Sequence, residues 1–504
     1  MKYRKKMALF FVVVAIIVLL ANVLLLYIHN SGGKKFPITN GSVDISGWNS
    51  QNDGVLSLGG DWEFYWNRLI TYQDLKSGVK PDLIQNVPRV WNRYQINGKN
   101  LPGFGFGTYR LRVTGAQKGK PLTLWVPTFS TAYRLYINEH LLASNGTVSA
   151  DGINHQPEYH PNQPIFIPEN SNFDIIIQVS NYTYALGGMW YTLYLGSPRK
   201  MVNIDEGILC RDLFLLGSFF VMAFIYSAIF FFRRQEKGSL YFAFLCGIAA
   251  CRTLLHGSYF INTIFPSIPF SAIIRLDYMA MYWFTSMLAL LLRELFREEF
   301  GKKALKIFLY YTIIMTAITL LTPVSFFTTL TPLAQIAMFL ITAYILIKMI
   351  LAIWHDRQHA ALTLIGCIVL SLCSVCDTMF QNSMIGSFFE FIPIGFFIML
   401  FMQAHILAES FTLTIQKKDE ALAQLQISSE NERQAELKFL KSQIRPHFIH
   451  NALNTILPVS RKDVPRAQEL LMEFSNYLRG CFDFKDLNDV IPLENELEFV
   501  RSYI

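Results

Sequence analysis

Two side chains near the end of this 504-residue sequence have the types and spacing for phosphoryl chemistry: His447 and Asn451, in the run Leu440-Lys-Ser-Gln-Ile-Arg-Pro-His-Phe-Ile-His-Asn-Ala-Leu-Asn454. Four residues apart on a helix, they share one face. A neutral imidazole, with a reference pKa of ~6.5, is a competent nucleophile near neutral pH. One ring nitrogen can attack a phosphoryl group while the other keeps a proton. An amide one turn further on can orient the ring or hold a water beside a phosphorylated nitrogen. Pro446 directly precedes the histidine; lacking an N–H, it bends or breaks a helix there and exposes the ring. A lone histidine more often merely packs, so the surrounding elements carry the decision.

Residues 409–445 are polar, with Leu422, Leu425, Leu437, Leu440 and Ile444 at three- and four-residue steps. That is the narrow apolar seam of a paired helix, a coiled-coil or signalling helix. A second helix follows the histidine. Asp463 can cap it, Pro465 suits its first turn, Leu470, Leu471, Phe474 and Leu478 give its apolar face, and Gly480 suits its exit. The two helices predict a hairpin, and two hairpins would build a four-helix bundle.

The remainder of the chain belongs to a membrane. It is 52% hydrophobic and 16% charged, with mean hydropathy +0.30, outside the soluble range. The net charge of +7 is not gathered into one basic patch; its clusters lie beside apolar runs, which argues against nucleic acid as a partner. Lys2, Arg4, Lys5 and Lys6 precede an apolar run at 8–28, so residues 1–29 read as an N-terminal membrane anchor or a signal sequence. Seven further apolar segments follow within 207–408, at about 208–232, 239–258, 271–292, 305–322, 327–350, 360–380 and 387–408. Arg233, Arg234 and Lys237 follow the first of these, and Arg293, Arg297, Lys302, Lys303 and Lys306 follow the third. Lys348 and Arg357 flank the connection after the fifth, while the alternate connections carry no Lys or Arg. The positive-inside rule then puts residues of about 30–205 outside and everything after about 410 in the cytoplasm.

Residues 35–200 have short alternating or β-branched segments, among them 60–66, 107–113, 122–126, 132–137, 173–179 and 189–195, punctuated by Gly, Pro, Asn and Asp. This is the pattern of an all-β sandwich or jelly roll. The domain has no cysteine, so its core must hold it without disulfides. Its aromatics, including Trp48, Trp62, Trp66, Trp91, Phe104 and Tyr109, read mostly as core, although rings of this kind also stack on sugars. His155-Gln-Pro-Glu-Tyr-His160 reads as a surface loop, and Cys373-Ser-Val-Cys376 as membrane packing, so no metal is expected at either. The fold class is thus a multidomain membrane protein: N-terminal anchor, all-β jelly-roll ectodomain, seven-helix transmembrane bundle and cytoplasmic α-helical hairpin.

Charged groups within apolar spans are costly and frequently functional. Arg252 and His256 lie four apart on the second span, Arg275 and Asp277 begin the third, and Asp377 ends the sixth. The expectation is that Arg252 pairs with one of these acids and locks one receptor state.

The run Gln443-Ile-Arg-Pro-His-Phe-Ile-His-Asn-Ala-Leu-Asn454, with the stretch Leu493-Glu-Asn-Glu-Leu-Glu-Phe-Val-Arg-Ser-Tyr503, resembles the phosphoacceptor region of LytS-type sensor histidine kinases over about 430–504. The resemblance implies that His447 accepts the phosphate, with Asn451 as an orienting residue and His450 as a bystander. It also implies a homodimer, ATP and Mg2+ as cofactors, and a response-regulator aspartate as the acceptor downstream. The order of a β domain followed by seven spans resembles bacterial seven-transmembrane receptors with diverse intracellular signalling modules. Gly60-Asp-Trp-Glu-Phe-Tyr-Trp66, Gly105-Phe-Gly-Thr-Tyr-Arg110 and Tyr133-Arg-Leu-Tyr-Ile-Asn138 are similar to the galactose-binding-like domain of those receptors. The sequence does not name the extracellular ligand; a carbohydrate is the class the domain's aromatic rings could stack on. No Asp-x-Gly-x-Gly or comparable phosphate loop follows residue 409, so the family's ATP-binding domain is expected to be missing from this sequence and its standing as an enzyme stays open. The first reading is a membrane sensor histidine kinase without its nucleotide module. The alternatives are a non-catalytic receptor or dimerisation partner and, given the spans, a transporter.

Overall fold

The computed structural model describes residues 36–257, 259–381, 390–443 and 446–482, with a few positions beyond. The apolar run at 8–28 lies outside them. Two compact units divide the chain at Ala408 and Glu409.

In the first unit, eleven strands build two sheets: β1 (Ser42–Asp44), β2 (Leu56–Ser57), β3 (Gly60–Trp66), β4 (Leu83–Val87), β5 (Gly105–Thr114), β6 (Leu122–Trp125), β7 (Ala132–Ile137), β8 (His140–Asn145), β9 (Ile165–Phe166), β10 (Phe173–Asn181) and β11 (Tyr194–Gly196). The larger sheet runs β8-β7-β10-β5-β3-β4, with β1 parallel to β5; the smaller runs β9-β6-β11-β2. Inward-facing residues of both share one core, with Trp62, Phe64, Tyr109, Leu111, Leu124 and Leu195 wholly buried. Apolar residues at every second position of β3 and β5 point into that core, which is why the alternating pattern folds as a sandwich. On the other face Arg110 bridges Glu63 at 2.8 Å and Asp174 at 2.9 Å, tying β3, β5 and β10 across register. The run 189–195, expected as one strand, is broken: Gly188–Met189 pairs with Arg89–Val90, and Tyr194–Gly196 joins the small sheet. Residues 190–193 between them lie outside any strand: Trp190 packs edge to face on Tyr184, 5.0 Å away, while Met189 and Leu193 on either side stay in the sandwich core.

The membrane helices are α1 (Pro198–Phe232), α2 (Lys237–Leu255), α3 (Phe270–Leu295), α4 (Lys302–Leu321), α5 (Thr331–Trp354), α6 (Ala360–Gln381) and α7 (Ile392–Gln443). Six stretches among the described residues are long and apolar enough to cross a membrane, and α3 is not one of them. Its 26 residues include Arg275, Asp277, Arg293 and Glu294, and it buries Tyr282, Leu288, Ala289, Leu291 and Leu292 against its neighbours. A helix shielded from lipid tolerates charge that an exposed one does not. Leu215, Phe219, Phe242, Phe284, Met349, Met399 and Leu400 lie in the common bundle core. The β sandwich is seated on this bundle: the Tyr184 hydroxyl lies 2.7 Å from that of Tyr278, and the Ala185 amide donates to Thr328 Oγ1 at 3.1 Å.

The second unit holds the remainder of α7 and two further helices, α8 (Pro446–Val459) and α9 (Val464–Phe482).

Candidate functional site

The helix α7 ends at Gln443 and α8 starts on Pro446. Proline is at home in a first helical turn, where its missing N–H would have no intrahelical acceptor. His447 is therefore in the opening turn of α8, and its ring is exposed. Asn451, one turn on and also exposed, places Nδ2 3.2 Å from His447 Nδ1 and 3.5 Å from Nε2. The ring is held from one side by a neutral amide and faces solvent on the other. His450 is exposed too, on the flank of His447 away from Asn451, and no hydrogen bond joins it to that pair among the described contacts.

What fixes the backbone under His447 is its neighbour. Phe448 is half-buried, with its ring 4.7 Å from Tyr477 and 6.4 Å from Phe474. Ile456 and Ala467 are the buried contacts of the hairpin among the described residues. Asp463 caps α9 by accepting from the Arg466 amide at 3.1 Å, and Pro465 occupies its first turn. Leu453, Leu457, Leu471 and Met472 stay exposed, as do Leu422, Leu425 and Leu437 on α7. One chain thus leaves an apolar surface along this hairpin uncovered. The side chains of Leu440 and Ile444 lie outside the described residues.

The charged groups of the spans gather at the other end of α7. Arg252 Nη1 lies 3.3 Å from Asp277 Oδ1. His256, which terminates α2, brings Nε2 within 2.8 Å of that oxygen and Nδ1 within 3.0 Å of Glu390 Oε1. Asp377 on α6 accepts from the amides of Phe391 at 2.7 Å and Ile392 at 2.8 Å, capping α7. Arg211 on α1 donates from Nη1 to the Glu390 carbonyl at 3.3 Å. Arg275 stands apart from the acids. It donates to the carbonyls of Thr319, Leu320 and Thr322 at the end of α4, where a cation offsets the helix dipole. Glu390 was not singled out in the sequence. Its only signal there is an acid at the head of an apolar segment.

In the ectodomain Trp62, Trp91 and Tyr109 are core, while Phe104 is exposed. His155 is a correction to the surface-loop expectation. It is buried, with Nε2 2.9 Å from Thr131 Oγ1 and Nδ1 2.9 Å from Ser180 Oγ. Burial pushes its pKa down to about 4, so it packs as a neutral ring.

Two family models match the chain: 7TM diverse intracellular signalling over residues 211–415, and Histidine kinase over residues 435–504. These two regions belong to those families. The protein is a multi-pass membrane protein with a β ectodomain and a cytoplasmic helical C-terminal region. Relatives include protein YwpD of Bacillus subtilis, 44% identical over 69 residues, or 14% of this chain and 25% of YwpD. Sensor protein LytS of Enterococcus faecalis is 39% identical over 83 residues, 16% of this chain and 14% of that one. Sensor histidine kinase BtsS of Escherichia coli is 38% identical over 71 residues, 14% of this chain and 12% of BtsS. The chain therefore spans a quarter or less of the length of these relatives. Among solved structures, a Ruminococcus gnavus β-glucuronidase covers 28% of both chains at 12% identity with a TM-score of 0.22, too low a likeness to bear on this protein.

Proposed function

We propose that this chain is the sensing and phosphate-accepting part of a two-component histidine kinase, with His447 as the phosphoacceptor. The observation that carries the reading is the exposed imidazole of His447, one helical turn from Asn451 and in contact with its amide. It lies within residues 435–504, which match the Histidine kinase family model. The Asn451 amide can turn over, since its oxygen and nitrogen are interchangeable in shape. With the oxygen toward Nδ1 it accepts a hydrogen bond from the Nδ1–H, and Nε2 keeps an outward lone pair. That nitrogen then attacks the phosphorus of a bound donor in line with the leaving oxygen. Asn451 fixes the ring rotation and the tautomer, so positioning supplies the gain.

The histidine kinase family uses ATP, with Mg2+ as the accompanying ion. The described residues from 409 onward are helical or short turns and offer no loop of backbone amides to cradle phosphates, so the described part of this region does not fit the nucleotide. Its residues hold the acceptor. The exposed Leu453, Leu457, Leu471 and Met472 are where a second copy would pack to complete a four-helix bundle. A response-regulator aspartate would then take the phosphoryl group from His447. Upstream, the β domain receives the input, and the seven helices, α7 among them, carry it inward.

The test uses the full chain in lipid nanodiscs with an intact LytS-type kinase and γ-labelled ATP. The reading expects acid-labile label on this chain that His447→Ala removes and His450→Ala leaves. Label of unchanged amount on His447→Ala contradicts it.

A further inference from the structure

The polypeptide between α2 and α3 touches two things at once. On one side it meets the β domain. The Tyr259 hydroxyl lies 3.4 Å from Thr128 Oγ1, Asn262 Nδ2 donates to the Tyr159 carbonyl at 2.6 Å, and the Tyr159 and Tyr259 rings meet edge to face at 6.3 Å. On the other side, the same connection starts at His256, whose two ring nitrogens reach Asp277 on α3 and Glu390, two residues before α7. The backbone between is pinned close. Gly257 has φ +66, and a Cβ there would stand 2.5 Å from Asp212 Oδ2 on α1, so glycine alone fits both the turn and the approach. The head of α7 is gripped in turn by Asp377 at two amides and by Arg211 at the Glu390 carbonyl. Tyr259 and Asn262 thus contact the β domain while His256, on the same connection, holds the α7 head through a hydrogen-bonded carboxylate.

We propose that residues 256–262 are the coupling element of this receptor, linking the β domain to the outer end of α7 through the His256–Glu390 pair. The linkage stands on these contacts; only the role of α7 as the output helix rests on the kinase reading. Removing either contact should loosen the other, since coupling between sites is reciprocal. The proposal distinguishes His256 from Arg252 and Arg275. Arg252 makes its ion pair with Asp277 on α3 and Arg275 ties α3 to α4, and neither donates a hydrogen bond to the α7 head among the described contacts.

Backbone amide exchange of the full chain in nanodiscs, read by mass spectrometry, tests the linkage without any phosphate chemistry. Asn262→Ala removes a neutral contact to the β domain and leaves the buried charges in place. It should speed exchange across residues 391–395 by at least about fivefold, the low end of typical coupling between sites. His256→Gln should speed exchange both there and in the ectodomain segment around Tyr159. Thr128→Val gives a milder third variant with the same direction of change, and with Asn262→Ala it decides the matter should His256→Gln not fold. His447→Ala should leave all of these rates unaltered, so a failed linkage and a failed phosphoacceptor are read separately. Changes confined to residues 255–270 and their immediate ectodomain contacts, with 391–395 at the unmodified rate, would overturn the proposal.

Discussion

His447 and Asn451 are separated by one helical turn, and the chemistry assigned to them depends on that geometry. Asn451→Ala leaves the nucleophile but frees its ring to rotate. We expect phosphate acceptance to slow by ~10–100-fold, the usual size of a lost positioning contact, measured as the initial rate of label uptake. Asn451→Asp should retain much of the rate because a carboxylate oxygen also accepts from Nδ1–H. His155 gives a prediction of different sign. Its folded pKa, near 4, is below its unfolded value of ~6.5. The unfolded chain thus binds the extra proton first, and the stability this group contributes is complete above pH ~6.5 and declines as pH falls toward 4. Replacement by Gln, which keeps two polar ends for Thr131 and Ser180, should flatten the acid slope of ectodomain unfolding between those values. An unaltered slope would show that His155 does not control it. The exposed pairing of His447 with Asn451 was legible in the sequence because the two are four residues apart and Pro446 opens their helix. His155 was not, because its two partners, Thr131 just before β7 and Ser180 on β10, are brought to it by a sheet pairing that no local pattern reports.

At the scale of elements, the hairpin under His447 is held by few contacts, so each matters. Phe448 bridges α8 to Tyr477 and Phe474. Phe448→Ala should destabilise this unit by ~1–3 kcal/mol, less than a full core truncation because the ring is only half-buried. Asp463→Ala should cost ~1 kcal/mol through loss of the cap on α9. Hydrogen exchange of α9 amides measures both, and protection equal to the unmodified chain would contradict the packing. The cap and the first-turn proline were readable from residue types alone, since capping is a local property. The alternating strands β3, β5 and β7 were readable for the same reason. The break at 190–193 was not, because it depends on Trp190 packing against Tyr184, a contact no alternating pattern reports. The charged α3 was counted among the spans from its length and flanking arginines. Its composition alone does not distinguish it from a helix outside the membrane; its burial against the other helices is what accommodates the charge.

For the whole molecule, the exposed leucines of α8 and α9 predict that the working form is a dimer. Leu457→Glu, at a side chain 61% exposed in one chain, should leave the monomer folded and abolish association, read as mass by light scattering in detergent. A dimer that persists would move the interface elsewhere. The central claim is that His447 is the nucleophile, and the most direct measurement removes the nucleotide from the question. The full chain in nanodiscs is exposed to phosphoramidate, a small donor that phosphorylates imidazoles without a kinase domain, and the phosphorylated position is read by mass spectrometry. The account predicts phosphate on His447, stable to alkali and lost in acid, with His450 and His355 modified far more slowly. Modification of His447 no faster than of those other exposed rings, or a response regulator that takes phosphate equally well from the His447→Ala chain, would contradict it.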